Sequence, residues 1–186
     1  MEIIPTSIAG LLLLKPKVFY DTRGYFLETY NALSMPQGVA TSFLQDNLSF
    51  SSKNILRGLH FQNPPFAQAK LVRVLQGAVL DVAVDLRKGS TTYGKHVAVE
   101  LNADNKYAFY IPEGFAHGFL TLEDNTLFQY KCSTVYHPSA DSGLLWNDPA
   151  LGIDWGIDTP ILSDKDILHT TFDCFESPFY LPSSIT

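Results

Sequence analysis

Apolar and polar residues alternate with a period of two through the middle of the chain, the spacing of half-buried β-strands. In residues 78–86, AVLDVAVDL, Leu80, Val82, Val84 and Leu86 share one face while Asp81 and Asp85 take the other. Residues 96–102 repeat the pattern with Val97, Val99 and Leu101, and residues 106–112 with Tyr107, Phe109 and Ile111. Residues 126–134 group Phe128, Tyr130 and Cys132 against Gln129, Lys131 and Ser133. Turn residues separate these runs at Gln76-Gly77, Lys88-Gly89-Ser90, Ala103-Asp104-Asn105 and Glu123-Asp124-Asn125. Many short strands with regular turns predict an all-β protein, an antiparallel sandwich or barrel. No long segment has helical periodicity; single helical turns are predicted near residues 31–35 and 163–169. From Pro138 the chain reads as ordered loops wrapping the barrel. No repeat or linker divides it, so residues 1–186 are expected to form one domain with a barrel core at about 40–137.

Composition narrows the class. With 46% hydrophobic and 17% charged residues the chain can bury a sizeable interior. A net charge of −6 argues against a nucleic-acid binder, which needs a basic face, although a phosphorylated small molecule needs only a few local cations. Cys132 and Cys174, far apart and without a His pattern, read as buried thiols rather than a disulfide or zinc site. The apolar run 11–14 is too short to span a bilayer and follows no basic leader, so no membrane association and a cytoplasmic protein are expected.

The sharpest motif is PEGFAHGF, in which Pro112, Gly114 and His117 have the P-x-G-x-x-H spacing of the second cupin motif. In a metal-binding cupin the first motif supplies two more His and a Glu. Here His60 is followed by Phe61 and Gln62, with Gln in place of the second His, and Lys70 stands where the Glu is expected. An ammonium repels a divalent cation, so the expectation is no metal in this catalytic centre. Lys70 shares strand parity with Val72 and Val74. That argues against a lysine snorkelling into water and for one in a barrel mouth, able to hold an oxyanion. His60, after Arg57-Gly58-Leu59, and the inward Tyr130 each have a plain structural role available and carry no enzyme claim singly.

Together these segments resemble the dTDP-4-dehydrorhamnose 3,5-epimerase family. The resemblance runs through DTRGYFLETY (21–30), FLQDNLSFS (43–51), LRGLHFQ (56–62), KLVRVLQGAVLDVAVDLR (70–87), IPEGFAHGFL (111–120), LWNDPALGIDW (145–155) and ILSDKD (161–166). It implies a homodimeric, cupin-like antiparallel jelly-roll β-barrel with short peripheral helices and a cofactor-free reaction. The implied substrate is a dTDP-4-keto-6-deoxyhexose, inverted at C3, C5 or both on the way to dTDP-L-rhamnose or a related deoxysugar. By the same resemblance the general base falls on His60, the general acid on Tyr130 and the carboxylate behind the base on Asp166. Lys70, Arg23, Glu28, Gln45, Asn47, Arg57, His117 and Lys165 would contact sugar and nucleotide, and Tyr136 would stack on the thymine. The family usually carries His and Arg where this chain has Leu48 and Phe50. That change is expected to alter ligand contacts or the shell behind them, and so to bear on double epimerisation.

The chemistry matches the residues. A C4 ketone acidifies the hydrogens on C3 and C5, and removing either gives an enolate with its charge on the C4 oxygen. The reaction needs a base near neutral pH, an acid on the other ring face and a cation at the oxygen; His60, Tyr130 and Lys70 suit these roles. Arg23 and Arg57 suit forked contacts to a diphosphate. Alternatives are a 3- or 5-mono-epimerase or 3,4-ketoisomerase on the same scaffold, a metal-dependent cupin enzyme, and a non-catalytic sugar binder.

Overall fold

The alternating segments fold as strands that pair in a nested pattern. The computed structural model describes residues 1–39 and 42–181; the end of the tail, whose role the sequence leaves open, lies outside the described residues. One sheet has the order β1 (Glu2–Pro5), β2 (Leu12–Lys15), β10 (Ala108–Ile111), β7 (Lys70–Gln76), β12 (Thr126–Cys132) and β5 (Gln45–Ser51). The other has the order β13 (Asp141–Gly143), β6 (Leu56–Gln62), β11 (Phe115–Thr121), β8 (Ala78–Asp85) and β9 (His96–Asn102). Strands pair as β8 with β9, β7 with β10, β6 with β11 and β5 with β12, all antiparallel. This is one long hairpin whose successive rungs fall alternately in the two sheets, the jelly-roll arrangement.

Most residues grouped by parity in the sequence meet between the sheets, but Leu80, Val82, Val84 and Leu86 of β8 face the other way. Val72, Val74, Phe109, Ile111 and Phe128 from one sheet pack on Val79, Ala83, Leu101, Phe115 and Phe119 from the other. A second core lies outside the five-stranded sheet. There Leu56, Leu59, Phe61, Val82, Val84 and Leu86 are covered by Leu144, Leu151, Trp155 and Phe179 of the C-terminal wrap. Strand β8 is therefore buried on both faces, and its two aspartates point into the barrel, not into water.

Two expectations change. The barrel is not confined to about 40–137, because β1 and β2 extend one sheet and β13 edges the other. Residues 31–35 form a turn instead of a helix: the Asn31 side chain accepts from Leu33 N–H, a local bond that competes with helix formation. The helix near 163–169 is present as α1 (Asp164–Ile167), with short 3-10 turns at Pro138–Ala140 and Phe172–Cys174.

Asp85 ties the bend after β8. Its carboxylate accepts from Arg87 Nε and Nη2 at 2.8 and 2.7 Å and from the hydroxyls of Ser90 and Thr92 at 2.7 Å each. Arg87 also reaches the Ala9 carbonyl and lies over the Phe115 ring. Burial alone would raise the Asp85 pKa, but these hydrogen bonds together outweigh it and hold the group below its ordinary value. A carboxylate depressed in the folded state stabilises above its unfolded pKa and loses that contribution as pH falls through the folded value. Asp85→Asn is therefore expected to cost about 3 kcal/mol at neutral pH, the scale for breaking a buried pair. It should also flatten the acid limb of stability; urea titrations of parent and variant between pH 7 and pH 3 measure both effects.

Candidate active site

Five strands deliver side chains to one end of the barrel. The inward residues of β5 are Gln45, Asn47, Ser49 and Ser51, and Asp46, Leu48 and Phe50 point outward. Cys132 at the end of β12 pairs with Gln45 on one side and Lys70 on the other. His117 on β11 lies opposite His60 on β6. Strict alternation would send Arg57 and His60, three residues apart, to opposite faces. A register shift between β6 and β11, where Phe119 pairs with Arg57 and His117 with His60, keeps both in the barrel. Gly58 permits it: its φ is +139°, and an added Cβ would fall on the backbone of Gly118.

The result is two adjoining chambers of about 160 and 220 Å³. His60, Lys70, Tyr130 and Lys165 line both. Gln45, Asn47, Tyr136 and Asp141 belong to the smaller chamber, and Arg57, His117 and Asp166 to the larger. Ten of the twelve residues expected at the site thus share one cleft. Arg23 and Glu28 do not reach it within the chain. They sit on a separate hairpin, β3 (Val18–Asp21) with β4 (Gly24–Leu27), and just beyond it. Arg23 is exposed and paired with Asp21, whereas Glu28 lines a different groove with Met1, Phe19 and Phe26. The expectation for Leu48 and Phe50 also changes: both are exposed on the outer face of β5, away from the ligand shell of their own chain.

His60 Nε2 lies 2.5 Å from Asp166 Oδ1. Ser163 caps α1 by accepting from Asp166 N–H, and its hydroxyl donates to Asp166 Oδ2 at 2.8 Å, so both carboxylate oxygens are held. Burial raises the Asp166 pKa, but the hydrogen bond and charge of His60 and the Ser163 hydroxyl overcome it and leave the group below its usual range. An ionised Asp166 fixes the His60 proton on Nε2 and leaves Nδ1 as the basic nitrogen.

Three further residues escaped the sequence reading. Asp81 is buried beneath His117 and contacts its Nε2 through both oxygens at 3.0 Å. Burial raises Asp81 and lowers His117, each opposed by the other's charge, so the pair favours one shared proton over an isolated ion. Asp141 accepts from Tyr136 Oη at 3.0 Å and from Lys165 Nζ. His169, from the stretch beyond α1, packs its ring against His60 with centroids 5.5 Å apart. The two aspartates of AVLDVAVDL on one strand face were the only sequence signal for Asp81.

The cations and acid of the cleft are set by burial. Lys70 is pushed below the ordinary lysine value by desolvation, opposed by the Cys132 thiol, Asp141 and Asp81. Burial raises Tyr130, and Cys132 adds to the effect. Gln62, at the position of a second cupin histidine, is buried and bonded to Phe66 O, Val135 O and His137 N–H, which pins the loop roofing the cleft. Cys132 is buried, as expected, but Cys174 is exposed.

Residues 5–173 match the family model described as dTDP-4-dehydrorhamnose 3,5-epimerase. The chain is 51% identical over 182 residues to the dTDP-4-dehydrorhamnose 3,5-epimerase of Methanothermobacter thermautotrophicus, covering 96% of this chain and 97% of that protein. It is 52% identical over 176 residues to the Escherichia coli protein of the same name, covering 93% and 95%. Among solved structures, the Legionella pneumophila dTDP-6-deoxy-D-glucose-3,5-epimerase in complex with dTDP-4-keto-L-rhamnose superposes with a TM-score of 0.92 at 42% identity, covering 97% and 99%.

Ser163 tests the support behind the imidazole. Ser163→Ala removes both the helix cap and a bond to Asp166, and is expected to cost about 1 kcal/mol in thermal stability. It should lower kcat more than it raises KM, because the Asp166 oxygen opposite the one Ser163 holds bears on His60; calorimetry and steady-state kinetics separate the two.

Proposed function

Because the chain belongs to the dTDP-4-dehydrorhamnose 3,5-epimerase family, whose members are isomerases, we propose that this cleft removes and returns the protons flanking the C4 ketone of a dTDP-4-keto-6-deoxyhexose. One observation carries the reading: His60, Lys70 and Tyr130 meet on the wall common to both chambers, with Asp166 2.5 Å behind the imidazole.

His60 Nδ1 takes the proton from C3 or C5, and Asp166 stabilises the imidazolium that forms. The electron pair moves into the ring, and the charge settles on the C4 oxygen, where the Lys70 ammonium holds it. Tyr130 supplies a proton from the other ring face, so the carbon is remade with inverted configuration. His117 donates toward the sugar, backed by Asp81. Protons leave and return and no electron is gained or lost, so the reaction needs no redox cofactor. Tyr136, its hydroxyl anchored on Asp141, offers its ring to thymine, while Arg57 and Lys165 flank the diphosphate path. Gln45 and Asn47, bonded to each other at 3.0 Å, present amide groups to the nucleotide end.

The proposed assembly is a homodimer of single-domain chains. Phe19, Tyr20, Tyr25 and Phe26 are exposed on a hairpin that pairs with neither main sheet, and burying them requires another surface. A second copy also gives Arg23 and Glu28 a role in substrate contact, at its cleft instead of their own. The compartment we propose is the cytoplasm, in keeping with a nucleotide-linked substrate; among the described residues no helix is long and apolar enough to cross a membrane.

Incubation with the dTDP-4-keto-6-deoxy sugar in heavy water, read by NMR, tests the reading. Deuterium at C3 and C5 is expected; label at one carbon makes the enzyme a mono-epimerase, and no label removes the epimerase reading. His60→Ala should lower turnover roughly 10²–10⁴-fold. Lys70→Met should lower it about 10²–10³-fold. A second measurement addresses assembly: sedimentation is expected to give a dimer for the parent and a monomer for Tyr20→Ser/Phe26→Ser. A monomeric parent at full activity sinks the two-copy site.

A further inference from the structure

We propose that His60, Asp166 and His169 form a binding site for a divalent transition ion such as zinc, and that its occupancy switches off the base. The site itself stands on geometry; the switch rests on the reading of His60 as the base.

The role proposed for His60 and Asp166 leaves His169 without a task. Its side chain is only 10% exposed, and its Nε2 has no hydrogen-bond partner among the described residues. A buried polar nitrogen without a partner is uncommon and calls for an explanation. The atom is also aimed at something: it lies 3.8 Å from the same Asp166 Oδ1 that His60 Nε2 contacts at 2.5 Å. One donor atom from each of the three residues lies within 4.8 Å of the other two. The backbone leaves room for this pose. Gly143 on β13 passes so close that an added Cβ would overlap His169 Nε2, so only glycine at that position leaves room for the ring.

Two imidazoles and a carboxylate are a donor set that zinc takes, with a fourth position open to water. Ligand bonds of about 2.0–2.2 Å put tetrahedral donors roughly 3.3 Å apart. The His60–Asp166 contact must open, and His169 must close, by on the order of 1 Å each. Asp166 can ligate through Oδ1 while Ser163 keeps Oδ2. His60, about one-third exposed, leaves a path from the cleft. Among the nearby charges, Lys165 and Lys70 oppose a cation; the Lys165 ammonium is engaged by Asp141, and Lys70, on the cleft wall, is not among the charges that act on Asp166 or His169.

The consequence for His60 is a change of tautomer. In the free site the imidazole carries its proton on Nε2, toward Asp166, and Nδ1 is free to accept another. Zinc on Nε2 leaves the one ring proton on Nδ1. The nitrogen that should accept a proton then becomes a donor, and abstraction stops. No atom is oxidised or transferred, and removing the ion restores the base.

Titration of the full-length enzyme with zinc chloride tests this. Equilibrium dialysis is expected to give a single tight ion per chain, with loss of deuterium exchange that EDTA reverses. His169→Ala should lose tight zinc binding, and the exchange it retains, at whatever rate, should no longer respond to zinc. Imidazole resonances of the unmutated protein supply a readout that does not depend on a variant folding: those of His60 and His169 should shift together. No tight zinc in the parent, or equal affinity in His169→Ala, overturns the site. Zinc held through His169 with exchange unimpaired supports the site and overturns the switch, and His60 as base with it. A parent that binds zinc through His169 but never exchanges substrate protons upholds the site and locates the failure in the epimerase reading.

Discussion

The contact between His60 Nε2 and Asp166 Oδ1 joins two parts of the molecule that are 106 residues apart in the chain. One partner sits on a barrel strand, and the other on a four-residue helix of the C-terminal wrap. A helix this short has no stability of its own. It stands because Ser163 caps it, and because the wrap lays Leu144, Leu151 and Trp155 over the outer face of the five-stranded sheet. The orientation of one imidazole therefore depends on an apolar layer that never touches the cleft.

The strands were legible wherever one parity set is apolar. Val72, Phe109, Phe128 and Tyr130 point inward as the alternation implied, and Lys70 follows Val72 and Val74 into the cleft. Alternation failed where the ladder itself is irregular. The shift at Gly58 puts Arg57 and His60 on one face, and nothing in a period of two announces it. It also misled for β8, because an aspartate opposite an apolar face reads as solvent-facing until the other sheet covers it. Site residues matched to sequence motifs reach the cleft from barrel strands or, for Tyr136, Lys165 and Asp166, from the loop after β12 and from α1. Arg23 and Glu28 do not, since a hairpin free of the main sheets carries no information about which cleft it serves. His169 belongs to no pattern, and its position follows only from how the wrap passes Gly143.

Charge in the cleft is arranged in layers. Among the described residues the Lys70 ammonium has no carboxylate within salt-bridge distance, yet Asp81 and Asp141 act on it from further off and temper the cost of burying it. Holding the aspartates at a distance leaves the ammonium free to meet a negative charge that exists only during the reaction. Asp81 is neutralised locally by His117, and Asp141 by Lys165 and Tyr136. Each acidic group near the cleft thus has its own partner, so a diphosphate meets cations and amides at the mouth without facing a bare carboxylate.

The nested strand pairing sets an order on how the molecule assembles. Closing a loop costs entropy that grows with its length, and contacts between distant residues form slowly. The hairpin of β8 and β9 closes the shortest loop of the ladder, while Gln45 and Cys132 close the longest. Zipping outward from β8 and β9 meets a smaller entropic barrier at every rung. The end that holds Gln45, Lys70 and Cys132 is the last to be completed, and Asp166 arrives only when the wrap is laid down. A nascent or partly refolded chain can thus be largely β-structured and still inert, because catalytic competence matures last.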